Sequence, residues 1–316
     1  MRAVCGFVGW PAVTLLERLA DILRHETATV VVEPPGTGTG FWAGGPSAVR
    51  HDGIFHLAYR LRRPVDAGRG YANVVATSTD GVHFETACTV PVGDFDSASL
   101  ERPALVRRPD GGWRLYVSCS TLGSKHWWVE ALDTAADGSV ADLATGTRTV
   151  VLPGDEATAW KDVVVQAPTT DDGPWRMWAC RHPLDGGDDA ADRMQTWYFT
   201  SPDGLRWDSH GAALVPTADS WDARGTRVTS VLPVDDGWLA LYDGRASAAE
   251  NWYERTGLAL GSDPGSFRPV AGPLQRDGRT LRYVCVVPAG DHWRIYFEAD
   301  RPDGSNVLLT TVLPLG

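Results

Sequence analysis

Hydrophobic and polar positions from residue 40 onward alternate in short runs, and the pattern returns about every 60 residues. Each repeat opens on a small or charged residue, continues as an apolar run, turns at Gly or Asp, and leads into an aromatic segment. The first reads Gly45-Pro46-Ser47-Ala48-Val49 then Phe55-His56-Leu57-Ala58-Tyr59, and the second Arg102-Pro103-Ala104-Leu105-Val106 then Trp113-Arg114-Leu115-Tyr116. The third pairs Asp162-Val163-Val164-Val165 with Trp175-Arg176-Met177-Trp178. The fourth pairs Arg227-Val228-Thr229-Ser230-Val231 with Trp238-Leu239-Ala240-Leu241-Tyr242, and the fifth Arg282-Tyr283-Val284-Cys285-Val286 with Trp293-Arg294-Ile295-Tyr296. Alternation at period two predicts strands with one buried face. Self-similarity at this period predicts a propeller or solenoid.

A third strand follows the aromatic one, as in Ala72-Asn73-Val74-Val75-Ala76-Thr77 and Thr196-Trp197-Tyr198-Phe199-Thr200. After it comes a recurring turn: Ser78-Thr79-Asp80-Gly81 leads to Phe84, Ser201-Pro202-Asp203-Gly204 to Trp207, and a weaker Ser262-Asp263-Pro264-Gly265 to Phe267. Asp-Gly supplies the tight turn and the aromatic re-enters the sheet, so these are structural punctuation.

Residues 12–25 carry the one strong helical pattern, with Val13, Leu16, Leu19, Ala20 and Leu23 on one face and Pro11 near its start. A strand is expected at 27–33. Because the fifth repeat supplies three clear strands, this segment is expected to pair with it as a fourth, closing the ring and removing open edges. The fold class expected is all-β: a five-bladed β-propeller with a short N-terminal helical extension. Residues 1–38 hold the helix and ring-closing strand, and 39–316 the propeller.

Composition narrows the function. A chain of 316 residues with 43% hydrophobic content and 14 Trp can bury a large aromatic-rich core. Its net charge of −11 argues against a nucleic-acid or anionic-membrane surface. No apolar run reaches membrane-spanning length and no secretory signal is visible, so a cytoplasmic location is expected. Cys5, Cys88, Cys119, Cys180 and Cys285 are odd in number and lack CxxC spacing. They read as buried thiols, with neither a disulfide framework nor a zinc site. No cofactor or metal is called for.

In a propeller the innermost strand of every blade begins at the central funnel, so the repeat heads converge there. The heads are Gly45, Arg102, Asp162, Arg227 and Arg282, with neighbours Gly44, Glu101, Lys161, Thr226 and Leu281. Asp243 and Glu298, at the ends of aromatic strands, also approach the funnel or its rim. Trp42 completes the candidate wall.

At these residues the chain resembles the propellers of glycoside hydrolase family 43 and its relatives in families 32, 62, 68 and 130, over roughly residues 40–316. That resemblance implies a sugar-processing site. Family 43 places an Asp base in the first blade, a pKa-tuning Asp in the third and a Glu acid in the fourth. By repeat alignment these fall on Gly45, Asp162 and Arg227. Gly45 cannot activate water, and Arg227 stays protonated and cannot act as the acid, so a standard family 43 hydrolase is not expected. Glu101, in Glu101-Arg102-Pro103, is similar in place to the Arg-Asp-Pro element of family 32 and is the candidate substitute. The catalytic candidates are therefore Asp162 and Glu101, with His182, in Cys180-Arg181-His182-Pro183, as a proton shuttle. The alternative is that Glu101 pairs with Arg102 or Arg282, and Asp162 with Lys161 or Arg227, as structural ion pairs.

Arg102, Lys161, Arg227 and Arg282 aimed at one funnel predict a locally positive pocket for a carboxylate, phosphate or sulfate. With Trp42, Asp243 and Glu298 they form the candidate substrate-binding set. Family 130 enzymes use phosphate and have a similarly basic lining, but too little of their motif is present to carry phosphorolysis over. The bland reading is salt bridges between blades. Asp188, Asp189 and Asp192 form an acidic loop whose spacing fits no calcium loop. His126-Trp127-Trp128 offers at most one stacking face, since neighbouring strand residues point to opposite sides. Cys5-Gly6-Phe7-Val8-Gly9-Trp10, followed by Gly38-Thr39-Gly40-Phe41-Trp42, resembles the opening of class II glutamine amidotransferases over about 40 residues. Four residues precede Cys5 and no glutamine-binding motif follows, so the segment reads as a cap on the propeller.

Three functions remain open: a glycoside-processing enzyme of small anionic or sugar-bearing substrates; a repurposed lyase, cyclase or isomerase of small-molecule biosynthesis, whose arginines stabilise a developing anion; or a non-catalytic ligand-binding propeller. The partner expected in each is a small molecule, with neither nucleic acid nor membrane.

Overall fold

The computed structural model describes residues 12–24, 27–170, 172–187, 190, 193–235, 237–274 and 280–315. After helix α1 (Ala12–Ile22) and strand β1 (Thr29–Val32), the described residues form four hydrogen-bonded sheets, of which one joins the first and last strand groups, labelled I and V below. Sheet I holds β2 (Trp42–His51), β3 (Ile54–Arg62), β4 (Gly70–Ser78) and β5 (Glu85–Pro91). Sheet II holds β6 (Ser99–Leu100), β7 (Ala104–Arg107), β8 (Trp113–Ser120), β9 (Trp127–Asp133) and β10 (Thr147–Leu152). Sheet III holds β11 (Thr158–Gln166), β12 (Trp175–Pro183), β13 (Gln195–Ser201) and β14 (Asp208–Leu214). Sheet IV holds β15 (Gly225–Val234), β16 (Gly237–Arg245), β17 (Arg255–Asp263) and β18 (Ser266–Ala271). Sheet V holds β19 (Leu281–Pro288), β20 (His292–Asp300) and β21 (Asn306–Pro314).

The inner strands β2, β7, β11, β15 and β19 touch in that order, and β19 returns to β2. The architecture is an all-β propeller. β1 pairs antiparallel with β21, Thr29 opposite Thr310, and a single parallel bridge from Trp42 to Asn306 joins sheet V to sheet I. α1 buries Leu15 and Leu19, and Leu23 just beyond its end joins them, in a core shared with sheets IV and V, a face of i, i+4 spacing on which Ala20 is only half-buried. The Cys5 segment and the Asp188, Asp189 and Asp192 loop lie outside the described residues.

The repeated Trp-Arg-x-Tyr/Trp sequence has a structural cause. The aromatic on the second strand of one sheet donates to a carbonyl in the turn of the next: Tyr116 Oη to Gly204 O at 2.7 Å, Tyr296 Oη to Gly81 O at 2.9 Å, and Trp178 Nε1 to Pro264 O at 2.7 Å. The arginines add to this, Arg114 donating to Asp203 O at 2.8 Å and Arg294 to Asp80 O at 3.2 Å. In both Ser-x-Asp-Gly turns the Ser hydroxyl accepts from the Asp and Gly amides, and the Asp carboxylate accepts from the two amides beyond the Gly. Motif and turn are thus two halves of one latch between neighbouring sheets.

Small polar side chains satisfy the inner-strand amides that face the axis. Ser47 Oγ accepts from Leu105 N, Ser230 Oγ from Val286 N, and the Cys285 sulfur from Ala48 N. Cys88, Cys119, Cys180 and Cys285 are all buried and free.

Candidate functional site

Four inner strands carry a bulge at the funnel end, between Gly44 and Ser47, Lys161 and Val164, Val228 and Ser230, and Arg282 and Cys285. Bulges add a residue and re-aim the side chains around it. Gly45, Asp162 and Tyr283 occupy the bulges of β2, β11 and β19 with φ of 60, 53 and 54°. The head of the fifth repeat is therefore Tyr283, one residue beyond the Arg282 expected from the apolar runs. In sheet II the inner strand is instead interrupted at Glu101-Arg102-Pro103, where Pro103 has no amide to donate, although Glu101 N still donates to Ser118 O at 2.8 Å.

The residues just before the bulges face the ends of the second strands. Gly44 lies opposite Arg60, Lys161 opposite Cys180, and Arg282 opposite Glu298. In sheet IV Arg227 lies opposite Asp243. These ends surround a cavity of about 170 Å³, small beside the ~300–1,000 Å³ of drug-sized pockets. Of the expected site residues, Trp42, Glu101, Lys161, His182, Arg227 and Arg282 line it. Arg102, Asp162, Asp243 and Glu298 do not; they lie beneath that wall.

Arg102, expected to bind substrate, seals the axis: its guanidinium donates twice to Pro46 O, at 3.0 and 3.2 Å, and once to Thr229 O, at 2.9 Å. Asp162 accepts from Arg227 Nη1 and from Tyr283 Oη, each at 3.2 Å, and from Arg102 N at 3.3 Å. Burial alone would raise its pKa, but Lys161, Arg227, Arg60 and Arg102 bring it down to about 2. Asp243 accepts from Arg227 Nη2 at 2.8 Å and from Tyr283 N at 3.1 Å. Its burial outweighs Arg227 and pushes it up to about 6. Arg282 joins Glu298 and Glu254, each at 2.6 Å.

The ion pairs differ from those weighed in the sequence. Glu101 is held by Arg60, which also lies 3.8 Å from Glu298, and not by Arg102 or Arg282. Asp162 does pair with Arg227. His182 is buried rather than on a surface loop; its Nε2 lies 3.5 Å from the Cys180 sulfur and its ring 5.0 Å from that of Trp127. Burial pushes the Cys180 thiol up to about 12, so it stands as a neutral thiol.

Sequence reasoning missed Arg60, Arg62, Arg69, Lys125, Arg245, Trp252, Glu254 and Tyr283, all on the wall. Arg62 is the most informative. It is buried, its guanidinium lies 4.0 Å from the Trp42 ring and 4.7 Å from the Trp252 ring, and its Nε has no hydrogen-bond partner among the described residues. Burial first, with Arg60, Arg282 and Arg69 alongside, lowers its pKa to about 10. Trp252 stands edge-on to Trp42 at 5.3 Å and is itself at φ 80°. Of His126-Trp127-Trp128, Trp127 reaches the cavity, whereas Trp128 turns away to donate to Glu130.

No protein-family model matches the chain, and no curated protein matches it by sequence. Solved structures do match in fold. A thermostable family-43 glycoside hydrolase superposes with a TM-score of 0.66 at 13% identity, over 90% of this chain and 91% of the other. The β-1,2-mannobiose phosphorylase of Listeria innocua gives 0.60 at 15% identity, over 91% and 94%. A member of the family 130 mannoside phosphorylases, a family described as containing hydrolases of the β-1,2-mannosidic linkages of Candida mannan, gives 0.57 at 17% identity, over 92% and 93%. The fold is the glycoside-hydrolase-like β-propeller. At these identities the likeness extends to fold, and the chemistry must be argued from the funnel itself.

Proposed function

We propose that the protein is an enzyme acting in its central funnel on a small anionic, sugar-bearing molecule, by chemistry other than two-carboxylate glycoside hydrolysis. The observation that carries the first half is Arg62: a buried guanidinium on the wall, close to two indoles and crowded by Arg60, Arg69 and Arg282. A planar fork in that state fits a carboxylate or phosphate, which would relieve the repulsion and take up its donors. Half-buried Trp252 beside it offers an apolar surface of the kind a sugar ring packs on.

The second half rests on the carboxyls. An inverting hydrolase needs a protonated acid and an ionised base on opposite faces of the sugar. The carboxyls on the wall are Glu101 and Glu254. Burial works to protonate both, but Arg60, Lys161 and Arg62 draw Glu101 below its ordinary value, and Arg282, Arg227 and Arg245 draw Glu254 to about 2. Asp243 has the proton affinity of a general acid but lies under Arg227. A cationic wall with ionised carboxylates is better suited to stabilising an enolate, carboxylate or phosphate than to protonating a leaving oxygen.

The test is a thermal-shift screen of sugars, sugar phosphates, uronic acids and aryl glycosides, with mass spectrometry of every hit. Stabilisation by anionic sugars, with products that retain the mass of the substrate or lose a fragment without adding water, supports the reading. Hydrolysis of a neutral aryl glycoside overturns it. Stabilisation without any product reduces it to a ligand-binding propeller.

A further inference from the structure

The chain has 29 Lys and Arg residues, and only two of them are lysine: Lys125 and Lys161. Both line the funnel cavity. Each places an amine in a wall whose other cations are guanidiniums. What an amine can do and a guanidinium cannot is lose a proton at accessible cost and attack carbon.

The two differ in setting. Lys125 is exposed at the mouth, in the loop before β9. Lys161 is half-buried on β11, at the start of the bulge that carries Asp162. Its Nζ lies 4.3 Å from the Trp127 ring centroid, and it makes no ion pair with any described residue. Glu101 shares the wall, and Arg62 and Arg282 line the same cavity.

We propose that Lys161 is a nucleophilic amine that captures the carbonyl of a small anionic aldehyde or ketone, such as a sugar phosphate in its open form, as an imine. The proposal rests on the anionic-substrate reading above and deepens it. Lys161 gives up one ammonium proton, its freed lone pair adds to the carbonyl carbon, and the C=O π pair moves to oxygen, which takes up that proton and then a second one released from the nitrogen. That oxygen then leaves as water while the nitrogen lone pair forms C=N. Overall, R2C=O and Lys–NH3+ give R2C=NH+–Lys and H2O, with no oxidant or reductant. Because the product is again a cation, its contact with the Trp127 face survives the step. Arg62 would hold the anionic end.

The experiment incubates the full chain with D-glyceraldehyde 3-phosphate and cyanoborohydride, then maps the reduced adduct by peptide mass spectrometry. D-glyceraldehyde is the neutral control, and glycerol 3-phosphate the anion without a carbonyl. The expected result is labelling of Lys161 at least tenfold above Lys125, suppressed by glycerol 3-phosphate and weak with D-glyceraldehyde. Lys161→Arg should lose the label while keeping the thermal stabilisation by glycerol 3-phosphate; mapping in the unmodified chain stands whether or not this variant folds. Stabilisation by glycerol 3-phosphate with Lys161 unlabelled, or labelled no faster than Lys125, overturns the imine and leaves the anionic-substrate reading standing. No stabilisation and no selective label overturns both.

Discussion

The Tyr283 hydroxyl donates to Asp162 Oδ2 over 3.2 Å, linking sheet V to sheet III beneath the funnel, and both residues occupy left-handed backbone. Asp tolerates that conformation better than most residues, whereas an aromatic residue there is an outlier held by its surroundings. Arg227, 4.0 Å from the Tyr283 ring and paired with both Asp162 and Asp243, completes a buried unit whose Arg227 and Tyr283 line the cavity. Asp162 is therefore placed to set the floor, not to touch substrate.

Removing its charge tests that role. Asp162→Ala leaves Arg227 with Asp243, but strips Arg227, Tyr283 and Arg102 N of a buried acceptor and should destabilise the protein by about 3–5 kcal/mol, the usual cost of breaking a buried pair. Asp162→Asn accepts the left-handed φ and still receives the Tyr283 and Arg102 donors, so it should cost less, about 1–3 kcal/mol. Urea denaturation of both variants measures the difference; equal losses would reject the floor account.

Adjacent glycines should respond for different reasons. A Cβ on Gly44 would lie 1.9 Å from Glu298 Oε2, so Gly44→Ala must displace a fully buried carboxylate held by Arg282. On Gly45 the nearest atoms are Arg102 Cβ and Cγ at 3.4 Å, and the obstacle is φ +60°. Gly45→Ala should cost about 1–2 kcal/mol of left-handed strain, and Gly45→Asn less. Gly44→Ala should cost at least as much and, by shifting Arg282, should also weaken anion binding, which Gly45→Asn should leave intact. Calorimetric titration with the best anionic hit separates them.

The latch between sheets makes a third claim. Gly204 has φ +73°, and a Cβ there would lie 2.4 Å from Arg114 Nη1 and 2.8 Å from the Trp175 ring. Gly204→Ala should lose about 2–4 kcal/mol by combining strain with overpacking, without changing ligand affinity. Gly187→Ala, at φ +77° with open space around its Cβ, is the control and should show the strain alone.

Acid should act on the site through opposing groups. Asp162 and Glu254 are held near 2 in the folded protein, against ordinary values of about 3.9 and 4.3. Between about pH 2 and 4.5 the unfolded chain binds more protons at these positions, so stability rises with pH there and is lost on acidification. Asp243, pushed up to about 6, keeps a proton that the unfolded chain has released, so its contribution falls from about pH 4 to 6. Asp243→Asn should remove that fall and leave the acid limb below pH 4 in place, as read from urea midpoints at fixed pH.

The sheet order was legible because its signals are local. Trp-Arg-x-Tyr and Ser-x-Asp-Gly are each complete within a few residues, and both halves of the latch recur at fixed positions. The cavity lining was legible at the inner-strand heads, as with Lys161 and Arg227, and at Trp42 and His182. Arg60 and Arg62 come from the end of a second strand, and Glu254 and Trp252 from the loop before β17, where no periodicity points to the funnel. The bulges hid the rest: one inserted residue turns Tyr283, and not Arg282, into the counterpart of Asp162. Of all the missed signals, the scarcity of lysine was open to reading in the sequence, yet it gains meaning only once β9 and β11 bring both lysines to one cavity.

The central claim is that the funnel binds a small anion through Arg62. The direct measurement is the affinity of a sugar phosphate and of its neutral parent sugar, by calorimetry, for the protein and for Arg62→Ala. The account predicts tight binding of the phosphate alone and a loss of about 1.5–3 kcal/mol in the variant, roughly 10- to 150-fold, with the fold unchanged. Equal affinity for the two sugars, or an unchanged affinity in Arg62→Ala, would contradict it.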